Sequence, residues 1–191
     1  TSGKRGTIGL LDDYSYYIYA LICMHQATQK DHYIIRAEAL LRKAISEYFD
    51  HDNGGFFFSG KRNERLIFNP KETYDGAMPS GNSVMAYNLT RLYALTGSDE
   101  LYPVLKKHET FMNAAAAEHP PGHCFYLYSM LPTTEVTCVL DDQTDLNSIK
   151  IKSDWIVQVT RDKAYPMING KTTYYVCRNN ACQPPCNELP T

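Results

Sequence analysis

Residues 11–49 read LDDYSYYIYALICMHQATQKDHYIIRAEALLRKAISEYF, and apolar residues recur every three or four positions through both halves of this stretch. That spacing is typical of amphipathic helices, which we predict over residues 12–29 and 32–49. Because only a short polar link separates the two segments, the sequence predicts an antiparallel αα-hairpin.

A faint internal repeat extends this pattern along the chain. Thr28 and Asp31 match Thr96 and Asp99 when the sequence is aligned on itself, and apolar positions on either side match as well. Stacked helical hairpins of this kind are repeat units that cannot bury their apolar faces alone. The further predicted helices cover residues 82–96, 99–118 and 124–131.

Short apolar and β-branched runs predict strands in two parts of the chain. Residues 56–58 and 66–68 flank a charged loop and predict a small β-hairpin inserted between helices. Beyond Pro132 the character of the sequence changes. We therefore predict a helical domain over residues 1–132 and a small strand-containing lobe over residues 133–191. The predicted strands of the lobe cover residues 135–140, 155–160 and 172–177.

Composition excludes several classes of protein. The 191 residues are 43% hydrophobic and 21% charged, as in a globular domain. The net charge of −2 argues against nucleic acid as a partner, and the chain lacks the run of about 18 apolar residues that a membrane span needs. The first nine residues lack the apolar segment of an export signal. Fifteen Tyr accompany a single Trp, which suits a partly wet cavity, although Tyr also fills helix faces.

The repeat places the beginnings of the first and third helices on one rim, which two loops also reach. This rim is predicted to carry carboxylates, an amide, a hydroxyl and Tyr rings. Such a mixture suits a polyhydroxylated ligand, and carboxylate pairs perform acid–base chemistry on sugars. The same residue types also cap helices and shape turns, which is the structural alternative. The predicted catalytic residues are Asp12, Asp13 and Asp75, and the predicted ligand-binding residues are Tyr14, Tyr74, Ser80, Asn82 and His123.

Metal and cofactor motifs are absent from the sequence. The segment from Asp50 to Gly54 begins like a calcium loop, but Lys61 stands where the loop needs a carboxylate. The sequence also lacks helical zinc-binding motifs of the His-Glu-x-x-His type and phosphate-binding loops, so we expect no metal and no cofactor. Six scattered cysteines are typical of reduced thiols in the cytoplasm, where we expect the protein. We favour free thiols at Cys177 and Cys182, with a structural or reversible disulfide as the alternative.

Five short motifs follow one another along the chain. In their order and spacing they resemble the C-terminal part of the spermatogenesis-associated protein 20 family, the YyaL-like proteins of bacteria, archaea and animals. The stretch 74–83 is the most specific. The motifs are residues 11–14 (LDDY), 54–57 (GGFF), 70–72 (PKE), 74–83 (YDGAMPSGNS) and 175–182 (YVCRNNAC).

The resemblance implies an (α/α)₆ toroid, similar to N-acylglucosamine 2-epimerases and six-hairpin glycosidases, preceded by a thioredoxin-like domain. By this resemblance the chain is mainly α and comprises the last hairpins of the toroid plus the terminal lobe. The earlier part of the toroid and the thioredoxin-like domain would then be its partners. The residues on family motif positions are Asp12, Asp13, Tyr14, Tyr74, Asp75, Pro79, Ser80, Asn82, Cys177, Arg178 and Cys182.

Three functional hypotheses follow. In the first, the chain belongs to a carbohydrate-active toroid enzyme, either an isomerase or epimerase or a glycoside hydrolase-like enzyme, an inference by fold analogy. In the second, the toroid is a non-catalytic binding scaffold that works with a thioredoxin-like domain in thiol redox or protein quality control, and Cys177 and Cys182 exchange with the thiols of that domain. In the third, the chain has no activity alone and exposes faces that meet missing hairpins.

Overall fold

The computed structural model describes residues 8–145, 149, 152, 154–161, 165–178 and 181–189. The chain divides into two compact units. The first comprises Thr1–His25 with Lys30–Met130, and the second comprises Gln26–Gln29 with Leu131–Thr191. About 47% of the protein is helical, so the prediction of a mainly α protein with a small β part is confirmed.

Helices dominate the first unit, and their positions agree with the predicted ones to within one or two residues. A 3₁₀ turn, Pro120–His123, precedes the last and shortest helix. The helices are α1 (Leu11–Thr28), α2 (Asp31–Tyr48), α3 (Gly81–Thr96), α4 (Leu101–Glu118) and α5 (Cys124–Ser129).

Local sequence signals explain the bounds of α3. Ser80 is its N-cap, and the Ser80 side chain accepts a hydrogen bond from the backbone N–H of Ser83. Gly97 ends the helix in the left-handed conformation, with φ of 60°, where a side chain would be strained. Helix α3 packs against α2, α4 and α5, and it is therefore the central helix of this unit.

The main core lies among α1 to α4 and consists of fully buried aliphatic and aromatic side chains. Each side chain of this kind contributes roughly 1.5–3 kcal/mol by leaving water. The largest members are Ile18, Ile22, Leu41, Tyr48, Phe56, Met85, Leu89, Leu92 and Leu101.

The predicted β-hairpin over residues 56–58 and 66–68 is wrong. Phe56 forms only an isolated bridge with Phe49, and residues 66–68 form no strand. The side chain of Asn69 replaces the strand ladder, because it accepts from the backbone N–H of Ser59 at 2.9 Å and donates to its carbonyl at 2.8 Å. These two bonds close a loop, and Ile67 within it is fully exposed.

The second unit contains a mixed sheet in the strand order β2-β1-β3-β4. Strand β1 pairs in parallel with β2 and antiparallel with β3, and β3 pairs antiparallel with β4. Val136 lies in register with both Val157 and Val176, and these three side chains and Trp155 form a small core. Three strands confirm the predicted ones, and β4 was not predicted. The strands are β1 (Thr134–Val139), β2 (Ile156–Thr160), β3 (Thr173–Arg178) and β4 (Ala181–Cys182).

Within the described ranges, no helix has both the length and the apolar character to cross a membrane.

Candidate functional site

The beginnings of α1 and α3 lie against each other in the first unit. A Cβ atom added to Gly81 would overlap the carboxylate of Asp12 and would lie 3.0 Å from side-chain carbons of Leu11. Glycine at this position therefore lets the two helix ends approach closely. This contact brings together part of the predicted rim.

Asp12 lies in an environment that favours its protonated form. Burial raises the pKa of this carboxyl above its usual value, and the negative charges of Glu72 and Asp13 raise it further. Glu72 is exposed and was not among the predicted catalytic residues. Asp12 and Glu72 are hereafter called the carboxylate pair. Two neighbouring carboxyls of this kind can serve as a general acid and a general base.

Tyr16 lies one helical turn beyond Asp12 and extends the same face of α1. Its hydroxyl donates to the carbonyl of Pro79 at 2.7 Å. Burial raises the pKa of Tyr16, and the charges of Asp12 and Asp75 add to this effect. Tyr16 therefore adjoins both the carboxylate pair and Asp75.

The carboxylate of Asp75 accepts hydrogen bonds from two separate segments of the backbone. One carboxylate oxygen accepts from the N–H of Ser80 at 2.8 Å, just before α3. The other accepts from the N–H groups of Phe125 at 2.8 Å and Tyr126 at 3.4 Å, in the first turn of α5. With both oxygens occupied, Asp75 is better suited to fixing two helix starts than to transferring protons.

Asp13 has a similar local role at α1. Its carboxylate accepts from the N–H of Leu10 at 2.8 Å, so it caps the start of the helix. Tyr14 packs its ring on Tyr48, with ring centroids 5.3 Å apart, and Lys43 lies over the Tyr14 ring. Neither residue joins the carboxylate pair by a direct hydrogen bond among the described residues.

Asn82 is buried and uses its amide inside the protein. It accepts from the N–H of Phe56 at 2.7 Å and donates to the carbonyls of Phe56 at 2.9 Å and Glu72 at 2.8 Å. Asn82 therefore fixes the loop that carries Glu72. Ser80, also buried, is occupied as the cap of α3.

His123 is buried too, and both of its ring nitrogens have partners. Nδ1 lies 2.9 Å from the carbonyl oxygen of His119, and Nε2 lies 3.1 Å from the hydroxyl of Thr73. Tyr74 is different, because the residue is 63% exposed and its ring stacks nearly parallel to the His119 ring. Of the predicted ligand-binding residues, Tyr74 presents the most accessible surface.

A group of aromatic side chains on α1, α3 and α5 was missed by the sequence analysis. Tyr19, Tyr87, Phe125 and Tyr128, hereafter the aromatic cluster, form a continuous set of ring contacts. The ring centroids lie 5.1 Å apart for Tyr19 and Tyr87, 5.8 Å for Tyr87 and Phe125, and 5.9 Å for Phe125 and Tyr128. The guanidinium carbon of Arg91 lies 5.0 Å from the Tyr87 ring centroid.

The aromatic cluster adjoins the rim. Phe125, a member of the cluster, donates its backbone N–H to Asp75, and Tyr19 follows Tyr16 on one face of α1. The spacing of Asp12, Tyr16 and Tyr19 by four and three residues was the sequence signal for this face. The Tyr excess pointed to such a surface, but the contribution of α5 needed the tertiary structure.

Comparison with known proteins adds a family relationship for part of the chain. Over an alignment of 105 residues, the chain is 36% identical to spermatogenesis-associated protein 20 of Rattus norvegicus. It is 34% identical to the proteins of that name from Homo sapiens and Mus musculus. About half of this chain is thus similar to spermatogenesis-associated protein 20. The predicted family resemblance is therefore confirmed for part of the chain, whereas no family model matches the sequence.

The spermatogenesis-associated protein 20 relatives are much longer than the aligned region. Each alignment covers 50% of this chain and 13% of the relative. The chain thus spans a small part of the length of the curated relatives it matches, and their shared name describes no reaction or ligand.

In the second unit, Cys177 and Cys182 form a disulfide, so the preference for free thiols at these positions is wrong. The two residues are register partners on β3 and β4, and cross-strand pairing brings their side chains together. Cys182 is exposed and Cys177 partly buried. The other four cysteines are free thiols. Among the described residues, no group of His, Cys, Asp or Glu side chains is arranged as a metal site.

A cavity of about 590 Å³ lies beside the loop closed by Asn69. Of the predicted site residues, Asp13 alone is part of its described lining, together with Leu10, Arg62 and Glu64. The cavity therefore does not include the carboxylate pair or the aromatic cluster.

Proposed function

We propose that this chain forms part of a carbohydrate-active helical toroid protein, and that it binds a polyhydroxylated ligand along the aromatic cluster and the carboxylate pair. The observation that carries the proposal is the continuity of these two groups along one face of α1. Asp12, Tyr16 and Tyr19 are spaced by four and three residues, so they lie on one face of α1, and all three are partly exposed.

The chemistry of sugars matches this surface. A pyranose ring has an apolar C–H face that packs on the negative face of an aromatic ring, while its hydroxyls need polar partners. Tyr19, Tyr87 and Tyr128 offer both a ring and a hydroxyl. The carboxylate pair lies beyond Tyr16 and supplies acceptors for sugar hydroxyls.

Asp12 is the proposed general acid, because its pKa is raised by burial and by neighbouring negative charge. Glu72, exposed beside it, is the proposed base. Proton transfer at a sugar carbon or at a glycosidic oxygen uses a pair of this type, so the pair suits an epimerase as well as a hydrolase-like enzyme. In this proposal Asp75, Ser80, Asn82 and His123 position the loop and take no part in proton transfer.

Exposed apolar side chains support membership in a larger helical assembly. Around α5, Leu127, Met130 and Leu131 are 41%, 43% and 58% exposed. Surfaces of this kind are typical of interfaces. We propose that further hairpins of the toroid and a thioredoxin-like domain are the partners of this chain.

A non-catalytic redox scaffold is the second candidate, favoured by the exposed disulfide between Cys177 and Cys182. A dithiol on a thioredoxin-like partner could reduce this bond by exchange, forming its own disulfide and leaving two thiols here. We further propose a cytoplasmic location, which the four free cysteines support. Thiol titration tests the scaffold: a disulfide that a dithiol reductant cannot open in the folded protein would rule it out.

Binding of neutral sugars, measured by NMR titration of the protein, tests the first candidate. We expect Asp12→Asn and Glu72→Gln each to weaken binding about tenfold, the loss of about one hydrogen bond to a sugar hydroxyl. The exposed Asp52→Asn variant is the matched control and should bind normally. Unchanged binding in both site variants, or no binding of any sugar by the wild-type protein, contradicts the proposal.

A further inference from the structure

Arg91 is a buried cation on the aromatic cluster. Only 8% of this residue is exposed, and its guanidinium lies over the ring of Tyr87. No salt bridge among the described residues includes Arg91. A guanidinium has five N–H donors, which a contact with the face of the Tyr87 ring does not satisfy.

The remaining donors of Arg91 retain access to solvent. The buried side-chain polar atoms without a hydrogen-bond partner in the described part of the chain are Asn88 Oδ1 and His108 Nδ1. Each nitrogen of Arg91 is therefore either bonded or open to the surface. The guanidinium is therefore not completely sealed from the surface.

No described carboxylate lies close enough to Arg91 to form a salt bridge with it. The side chains that act electrostatically on Tyr87, besides Arg91, include the Cys23 thiol and Tyr128. A buried charge is costly unless it is paired. A carboxylate or phosphate from a ligand would offset this cost and accept a bidentate hydrogen bond.

We infer that Arg91 and the aromatic cluster form the anion subsite of the proposed sugar site, and that its ligand is an acidic sugar. The inference rests on the proposed carbohydrate function and names the class of ligand. The sugar ring stacks on Tyr19 or Tyr87, its carboxylate binds Arg91, and its opposite end extends toward Asp12. Asp12 and Tyr19 are seven residues apart, about 10 Å along α1 at ~1.5 Å per residue.

Isothermal titration with three probes separates the contributions of ring and charge. D-glucose supplies a sugar ring without charge, D-glucuronate supplies a ring with a carboxylate, and benzoate supplies a carboxylate on a ring without hydroxyls. We expect D-glucuronate to bind at least tenfold more tightly than D-glucose, and the preference to fall as salt is added. Equal affinities for the two sugars overturn the inference but leave the proposed function standing.

Two variants test whether Arg91 causes the preference for D-glucuronate over D-glucose. Arg91→Gln should abolish it, and Arg91→Lys, which keeps the charge but loses the planar fork, should retain part of it. Arg36→Gln, at an exposed position on α2, is the control and should keep the full preference. A preference that persists in Arg91→Gln overturns the inference.

Two further outcomes separate the inference from the proposed function. If benzoate binds in an Arg91-dependent way while neither sugar binds, the anion subsite stands and the carbohydrate function falls. If none of the probes binds, both fall. Melting temperatures of all variants show whether a loss of binding reflects unfolding.

Discussion

At the residue scale, the most strongly perturbed histidine is His108 on α4. It is fully buried, and its Nε2 donates to the carbonyl of Asn82 at 2.9 Å, which leaves Nδ1 without a hydrogen-bond partner among the described residues. Burial lowers the pKa of His108 to about 4, although the bond to Asn82 opposes this effect. The ring is therefore neutral in the folded protein at neutral pH.

This neutral ring predicts a loss of stability in mild acid. The unfolded chain takes up a proton on His108 near pH 6.5, whereas the folded chain does so only near pH 4. The stability contributed by the neutral ring is complete above pH 6.5 and is lost as the pH falls to about 4, by on the order of 3 kcal/mol. Urea unfolding at several pH values measures it. His108→Gln, which keeps a donor for Asn82, should show a shallower fall between pH 6.5 and 4, and an unchanged slope would contradict the prediction.

Asp75 gives the second residue-scale prediction, because structural and catalytic roles have different consequences. Asp75→Asn keeps the shape but replaces one acceptor oxygen by an NH₂ group facing backbone donors. We expect a loss of about 1–3 kcal/mol in the free energy of unfolding, with sugar affinity unchanged at temperatures where the variant is folded. Exposed Asp99→Asn is the control. Normal stability combined with lost turnover or binding would restore Asp75 to a catalytic role.

At the element scale, the helices could be predicted because their signals are local. Apolar spacing, the cap at Ser80 and the glycine at Gly97 each act within a few residues. The failed hairpin over residues 56–58 and 66–68 lacked such signals, since short apolar runs are ambiguous and the Asn69 side chain closes the loop instead. The cysteine pair was misjudged because β4 is too short to predict, although it sets the register of Cys177 and Cys182.

The candidate site was predictable only in part for a related reason. Asp12 lies at the start of the first helix, and the internal repeat is enough to predict that this helix start lies on the rim. The aromatic cluster requires α5 to lie beside α1 and α3, and the role of Asp75 depends on backbone groups distant in sequence. The residue types indicated acid–base chemistry. The tertiary structure was needed to show that the carboxylate of Asp75 is occupied by backbone hydrogen bonds, whereas Asp12 remains a candidate for proton transfer.

The edge strand β2 yields a prediction at this scale. In the second unit, Gln26 donates to the carbonyl of Val157 at 3.1 Å and accepts from its N–H at 2.9 Å, and Gln29 accepts from the N–H of Val159 at 3.1 Å. These side chains occupy backbone groups that would otherwise be open to another strand. Edge strands with open groups tend to pair with other chains.

Removing this protection should promote association. We expect Gln26→Ala combined with Gln29→Asn, in which the shorter amide tolerates the positive φ of 53° at residue 29, to increase the dimer fraction. Light scattering after size exclusion measures it. Gln158→Ala, at an exposed position on β2, serves as the control. A double variant with the same mass distribution as this control would show that the glutamines do not protect the edge.

At the scale of the whole molecule, exposed apolar side chains bear on whether this chain acts within a larger helical protein. In the first unit Ile67 is fully exposed, Phe68 is 78% exposed and Ile35 is 63% exposed. Charged residues precede Ile67 and Phe68 in the loop and favour its exposure to water. Burial of the two apolar side chains against a partner would stabilise the complex by on the order of 1.5–3 kcal/mol for each side chain.

If these side chains meet further toroid hairpins, the chain studied alone should associate through them. We expect sedimentation velocity to show a mass that rises with concentration, and Ile67→Ser with Phe68→Ser to shift the protein toward the monomer. Arg65→Ser, in the same loop, controls for loop changes that leave the apolar surface intact. A monomer at all concentrations in the wild type would mean that this surface lacks the affinity of an interface, and the toroid proposal would lose its support from exposed residues. Association unaffected by the double substitution would place the contact elsewhere, with the residues around α5 as the next surface to change.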